Sequence, residues 1–160
     1  MRIALYQPDI PQNTGTILRL AACLGVSVDI IEPAGFQLGD TRFRRALMDY
    51  TDHLDLTRHD SWEQFLETTG NRRLVLLTTK GATSLYSSSL LSDDVFLFGR
   101  ESAGVPDLVH ARADLRVTIP MAPGLRSINV AMATAMTMSE ALRQSGAFSE
   151  IAATPETDFL

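Results

Sequence analysis

The residues best placed for chemistry in this chain are one arginine and three irregular turns. Arg19 lies in "NTGTILRLAA", among Ile17, Leu18 and Leu20 in an otherwise apolar stretch. A guanidinium so placed either anchors a backbone carbonyl or an acid, or it receives an anion. The turns are "LLTTKG", "LFGRESAGVP" and "TIPMAPGLRSIN". In the second, Glu101 stands between Gly99 and Gly104, and glycine there permits a tight turn and close backbone approach to a flat ligand. A purely structural reading of the same segment is a strand-to-helix turn closed by Pro106. The third turn carries Arg126, Ser127 and Asn129 directly before a helix of thin side chains, Val130 onward. Three rigid loops presenting backbone N–H and C=O groups suit an adenine-sized heterocycle, whose edge needs a donor and an acceptor rather than a charge.

Other chemistries lack their residues. His53, His59 and His110 show no metal-ligand spacing, and no G-x-S-x-G surrounds a serine. Neither G-x-G-x-x-G nor G-x-x-x-x-G-K-[ST] occurs, which removes the main support for dinucleotide or triphosphate binding. The acids are scattered, with no pair placed for glycoside hydrolysis. Cys23, the single cysteine, excludes an internal disulfide, and in "LRLAACLG" it reads as a buried structural thiol.

The elements that must position these turns alternate regularly. "RIALY" (Arg2–Tyr6) and "VSVDII" (Val26–Ile31) read as strands. Between them "TGTILRLAACLG" has Ile17, Leu20, Ala21 and Leu24 at helical spacing, a cap at Asn13 or Thr14, and Gly25 as its stop. "HLDLTRH" reads as an edge strand, and "SWEQFLET" as a helix with Ser61 and Gln64 in capping-box positions. Arg73–Thr78, Asp94–Gly99 and Leu115–Pro120 are short apolar runs of the kind buried on both faces of a parallel sheet. "VPDLVHA" is a short helix, and the long one follows its cap at Asn129. Residues 1–145 then form one α/β domain, a mostly parallel five- to six-stranded sheet covered by helices, and 146–160 a loosely held tail. In such sheets ligands bind at the carboxyl ends of strands, where all three turns fall.

The chain has 160 residues, and at that length one domain buries roughly 70% of its unfolded surface. No run approaches the ~20 apolar residues of a membrane span, and the N-terminus reaches Pro and Asp too soon for a signal peptide; a single cysteine suits a reducing cytoplasm, the expected location. The net charge of −5 argues against a general nucleic-acid coat. Arg42, Arg44 and Arg45 nonetheless cluster in "TRFRRAL". Alone, that cluster reads as a solvated helix face.

Taken together, "PDIPQNTGTILRLAA", "LFGRESAGVP" and "IPMAPGLRSINVAMATAM" resemble, in order and spacing, the three motifs of the SPOUT class of RNA methyltransferases. "IEPAGF", "RRALMDY" and "LTTKG" resemble segments of the enzymes in that class that methylate the ribose 2′-hydroxyl of the tRNA wobble nucleotide, cytidine or uridine. The similarity covers residues 2 to 145. It implies a C-terminal trefoil knot, S-adenosyl-L-methionine as cofactor, and a homodimer made through the C-terminal helix. It implies cofactor contacts at Leu77, Thr78, Gly99, Glu101, Ile119, Met121, Leu125 and Ser127. It also implies catalytic roles for Arg19, Ser127 and Asn129, with Arg19 the family's candidate base. A guanidinium with a pKa above ~12 is neutral in fewer than about one case in 10⁵ at pH 7. Arg19 therefore reads better as a stabiliser of the developing alkoxide, with Ser127, Asn129 or a phosphate oxygen taking the proton. Arg42, Arg44, Arg45 and Arg126 become candidates for phosphate contact with the anticodon stem-loop of tRNA. Ser139 stands in "MSEAL" where family members often carry a tyrosine, so no role for that aromatic is transferred. Action on another tRNA or rRNA nucleotide, a non-catalytic RNA-binding module of the same fold, and a flavodoxin-like nucleotide binder stay open as other readings.

Overall fold

In chain order the elements of the computed structural model are β1 (Arg2–Tyr6), α1 (Pro11–Leu24), β2 (Ser27–Ile31), β3 (Leu56–His59), α2 (Trp62–Thr69), β4 (Leu74–Leu77), β5 (Thr83–Ser84), β6 (Val95–Phe98), α3 (Asp107–Arg112), β7 (Leu115–Thr118), α4 (Val130–Ser145) and α5 (Phe148–Ala152). The residues described are 1–36, 50–80 and 82–152. Among them the sheet has seven strands, in the order β3-β2-β1-β6-β4-β7-β5, and every pairing is parallel. The expected five or six strands become seven because β5, only two residues long, pairs Thr83 with Val117 and Ser84 with Thr118. A two-residue strand has no periodicity to read. The expected edge strand does lie at the edge, as β3.

Strands apolar at successive positions serve two cores. Ile3, Leu5, Val75, Phe96 and Phe98 face α1 and α4, meeting Ile17, Leu18, Ala21, Ala131, Met138 and Ala141. Ala4, Tyr6, Leu74, Leu76 and Leu97 face the other way, against Trp62 and Phe65 of α2 and Val109 of α3. Fully buried side chains such as Ile3, Phe65 and Phe96 each contribute about 1.5–3 kcal/mol by leaving water.

Three local readings are corrected. The first helix starts at Pro11, whose missing N–H and fixed φ suit the first helical position; Ile10 precedes it without a side-chain cap. Asn13 and Thr14 are thus already inside α1. Cys23 is exposed. The buried stripe of α1 is Thr14, Ile17, Leu18 and Ala21, and at 3.6 residues per turn position 23 falls ~180° around from Thr14. Finally, residues 148–152 of the expected tail form α5, and 153–160 lie outside the described residues.

Other caps hold. Ser61 Oγ accepts from Gln64 N at 3.2 Å, while Gln64 Oε1 accepts from Asp60 N, one residue earlier than a strict capping box requires. Asn129 Oδ1 accepts from Ala131 N and Met132 N at the start of α4.

Candidate functional site

The turn after β6 is closed on itself. Arg100 N donates to Gly104 O at 3.0 Å and Gly104 N to Arg100 O at 2.9 Å. A Cβ on Gly99 would lie 2.6 Å from the Gly104 carbonyl carbon, so only glycine permits this approach. Gly104 itself has φ +68°. The closure projects Glu101, Ser102 and Ala103 as a tight tip.

That tip meets the other two turns at one cavity of about 530 Å³, at the carboxyl ends of β4, β6 and β7. Leu77 and Thr78 line it from the β4 turn, Gly99 and Glu101 from the β6 turn, and Ile119, Met121, Ser127 and Asn129 from the segment after β7. Of the residues expected at the cofactor, Leu125 alone lies elsewhere; it is exposed outside the lining. The volume falls within the ~300–1,000 Å³ usual for small-molecule sites. Apolar walls from Phe98, Val117 and Ile128 beside a few polar groups fit a heterocycle joined to a charged amino-acid tail, as in S-adenosylmethionine.

Hydrogen bonds cross-link the loops. Asn129 Nδ2 donates to Asn13 Oδ1 at 3.0 Å, and Asn13 Nδ2 donates to Glu101 Oε1 at 2.9 Å. Asp9 N donates to Glu101 Oε2 at 3.4 Å. In return Asp9 accepts from Glu101 N at 3.2 Å, from Ser102 N at 3.4 Å and from Ser102 Oγ. Burial raises the Glu101 pKa, and the hydrogen bond shared with Asp9 raises it further, against donation from Asn13. Asp9 is held down to about 2, first by that same contact with Glu101 and then by the donors of Ser102 and the tip backbone. On acidification Glu101 therefore takes up its proton before Asp9 does.

Asn13 was legible only as a cap, and Asp9 carried no signal in the sequence. Their roles arise from contacts 88 to 116 positions apart along the chain. Lys80, Arg100 and His110 also line the cavity without having been expected there. Arg100 Nη2 donates to Gln7 Oε1, and its buried Nε is without a partner among the described residues.

The arginines stand apart. Arg19 is exposed and outside the cavity lining; its Nη2 donates to Tyr50 Oη at 3.1 Å and its guanidinium carbon lies 4.8 Å from the Tyr50 ring centroid. Arg126 is exposed on the segment before α4. Arg42, Arg44 and Arg45 lie outside the described residues. Among those described, no group of three His, Cys, Asp or Glu could hold a metal ion, and no helix is long and apolar enough to cross a membrane.

Comparisons with known proteins show the family and fold of the chain. The model of the SpoU rRNA Methylase family matches residues 1–139. The chain is similar to the tRNA (cytidine(34)-2'-O)-methyltransferase of Beijerinckia indica, with 56% identity over 157 residues, covering 96% of this chain and 97% of that one. It is similar to a solved structure described as structural insights into the 2-OH methylation of C/U34 on tRNA, with TM-score 0.85 and 42% identity over 89% of this chain and 94% of the other. It is also similar to the AdoMet-bound rRNA methyltransferase from Sinorhizobium meliloti, with TM-score 0.81 and 26% identity over 89% of this chain and 55% of that one.

Proposed function

The chain belongs to the SpoU rRNA methylase family, and from that premise we propose that it methylates the ribose 2′-hydroxyl of the wobble nucleotide, cytidine or uridine, of tRNA. The observation that carries the reading is the meeting of three strand-end turns at one cavity, cross-linked through Glu101, Asn13 and Asn129. Relatives similar over nearly the whole chain bear the matching names.

S-adenosylmethionine, when bound, supplies a methyl group activated on a sulfonium. Leu77, Thr78, Gly99, Glu101, Ile119, Met121 and Ser127 are the residues that would hold it. The reacting hydroxyl must lose its proton. Asn129 is a poor acceptor, because its Oδ1 already accepts from two backbone N–H groups and its Nδ2 donates to Asn13; it positions the loop instead. The proton passes to a substrate phosphate oxygen, or through Ser127, which lines the cavity and is exposed and would release its own hydroxyl proton to water as it accepts.

Arg19 stabilises the developing oxyanion and a neighbouring phosphate. Within one protomer it lies outside the cavity, so this role calls for a second protomer whose α1 faces it. A homodimer through α4 would supply it, a reading supported by the packing of α1 beside α4 and by the thin side chains of α4, where Met132 is 58% exposed. Arg126 and the Arg42–Arg45 cluster contact phosphates of the anticodon stem-loop, in the cytoplasm where tRNA is found. The knot belongs to the same reading, and the likeness over 89% of the chain to a solved structure of 2-OH methylation of C/U34 on tRNA supports it.

The test supplies the protein with S-adenosylmethionine and tRNA, followed by nucleoside mass spectrometry. Methylation at position 34, lost when that ribose is 2′-deoxy, is expected. Transfer to another nucleotide would move the substrate assignment, and binding without transfer to any RNA would leave a module rather than an enzyme.

A further inference from the structure

Asp9 is a carboxylate that the reaction above does not use and that does not line the cavity. It nonetheless takes three donors from the Glu101–Ser102 tip and returns its own N–H to Glu101. Behind it, the turn after β2 presses closely. A Cβ on Gly35 would lie 3.0 Å from Asp9 Cα, and Gly35 N donates to Pro8 O at 2.8 Å. Asp9 is thus gripped between that turn and the tip.

We propose that Asp9 is a positioning residue for the cofactor cavity: it holds the Glu101 tip from outside, so that Glu101 stays bonded to Asn13 and, through Asn129, to the start of α4. This rests on the methyltransferase reading. Ionised Glu101 accepts from Asn13 on one oxygen and from the Asp9 N–H on the other. Protonation removes one acceptor and loosens the link between turns. Burial, and after it the hydrogen bond shared with Asp9, brings that protonation to a higher pH. The other charged or titratable groups facing the cavity are Lys80, Arg100 and His110; all three are common to wild type and to the variants below.

Asp9→Asn keeps the shape and one acceptor oxygen but removes the charge. S-adenosylmethionine affinity is measured by calorimetry across pH, together with kcat and KM for the donor and a melting temperature. Loss of charge-assisted bonds to the tip is expected to weaken donor binding about tenfold at neutral pH. The fall in affinity on acidification should move to lower pH in D9N, because Glu101 loses its negative neighbour. Ser102→Ala, which keeps the charge, should weaken binding less and leave that pH unmoved. Should D9N fail to fold, Gly35→Ala displaces Asp9 with every side chain of the cluster intact, and weaker donor binding is again expected. Donor affinity within twofold of wild type, or equal weakening in D9N and S102A with the acid limb unmoved, overturns the proposal. A wild type that binds no donor would instead overturn the function reading itself.

Discussion

At the scale of single residues, a side chain's type and its partners decide different things. Arg19 retains a guanidinium fork over Tyr50, reaching outward from α1. If it stabilises negative charge that develops only during transfer, Arg19→Ala should lower kcat by about 10²–10³. Donor affinity by calorimetry should stay within twofold, since Arg19 does not line the cavity. Glu101 gives a pH-dependent expectation. Its raised pKa means that the folded state binds its proton more tightly than the unfolded chain does, whose value is ~4.3. Stability therefore falls as pH rises through the window from the ordinary glutamate value to the raised one. Glu101→Gln cannot titrate, so its melting temperature relative to wild type should climb as pH rises from the ordinary glutamate value through the raised one, as a series of thermal melts over pH measures. Asp9 acts with the opposite sign and lower down: the stability from its depressed pKa is present above ~3.9 and is lost as pH falls toward about 2.

At the scale of elements, the β6 turn depends on backbone contact more than on side chains. Gly99→Ala places a methyl 2.6 Å from the Gly104 carbonyl carbon, and neither backbone can retreat without breaking the paired Arg100–Gly104 hydrogen bonds. Donor affinity should drop at least about tenfold, on the order of two lost hydrogen bonds, as measured by calorimetry. Much of this scale was legible. The five-residue β1, the Asn129 cap of α4 and the Ser61 cap of α2 all follow from local pattern. The misreadings have local causes too: Pro11 outranks Asn13 as a helix start, and β5 is too short to announce itself.

At the scale of the whole molecule, an acidic chain must bind an anionic substrate through local patches. Arg126 is exposed beside the segment that enters the cavity. If it contacts a tRNA phosphate, Arg126→Ala should reduce the slope of log affinity against log salt by about one, with little change in the preference for position 34. A filter-binding series over salt concentration measures both.

From sequence alone came the α/β class, the parallel sheet and the three turns. These rest on short-range chemistry: apolar runs long enough for a strand, and glycines, prolines and caps that stop or start elements. Only the tertiary structure decided that Asp9, Asn13, Glu101 and Asn129 form one hydrogen-bonded chain, and that Arg19 stands outside the cavity. The physical reason is that strands adjacent in the sheet are distant in sequence. β6 lies between β1 and β4, and this insertion brings Glu101 to Asp9 across 92 positions, a separation that no local pattern records.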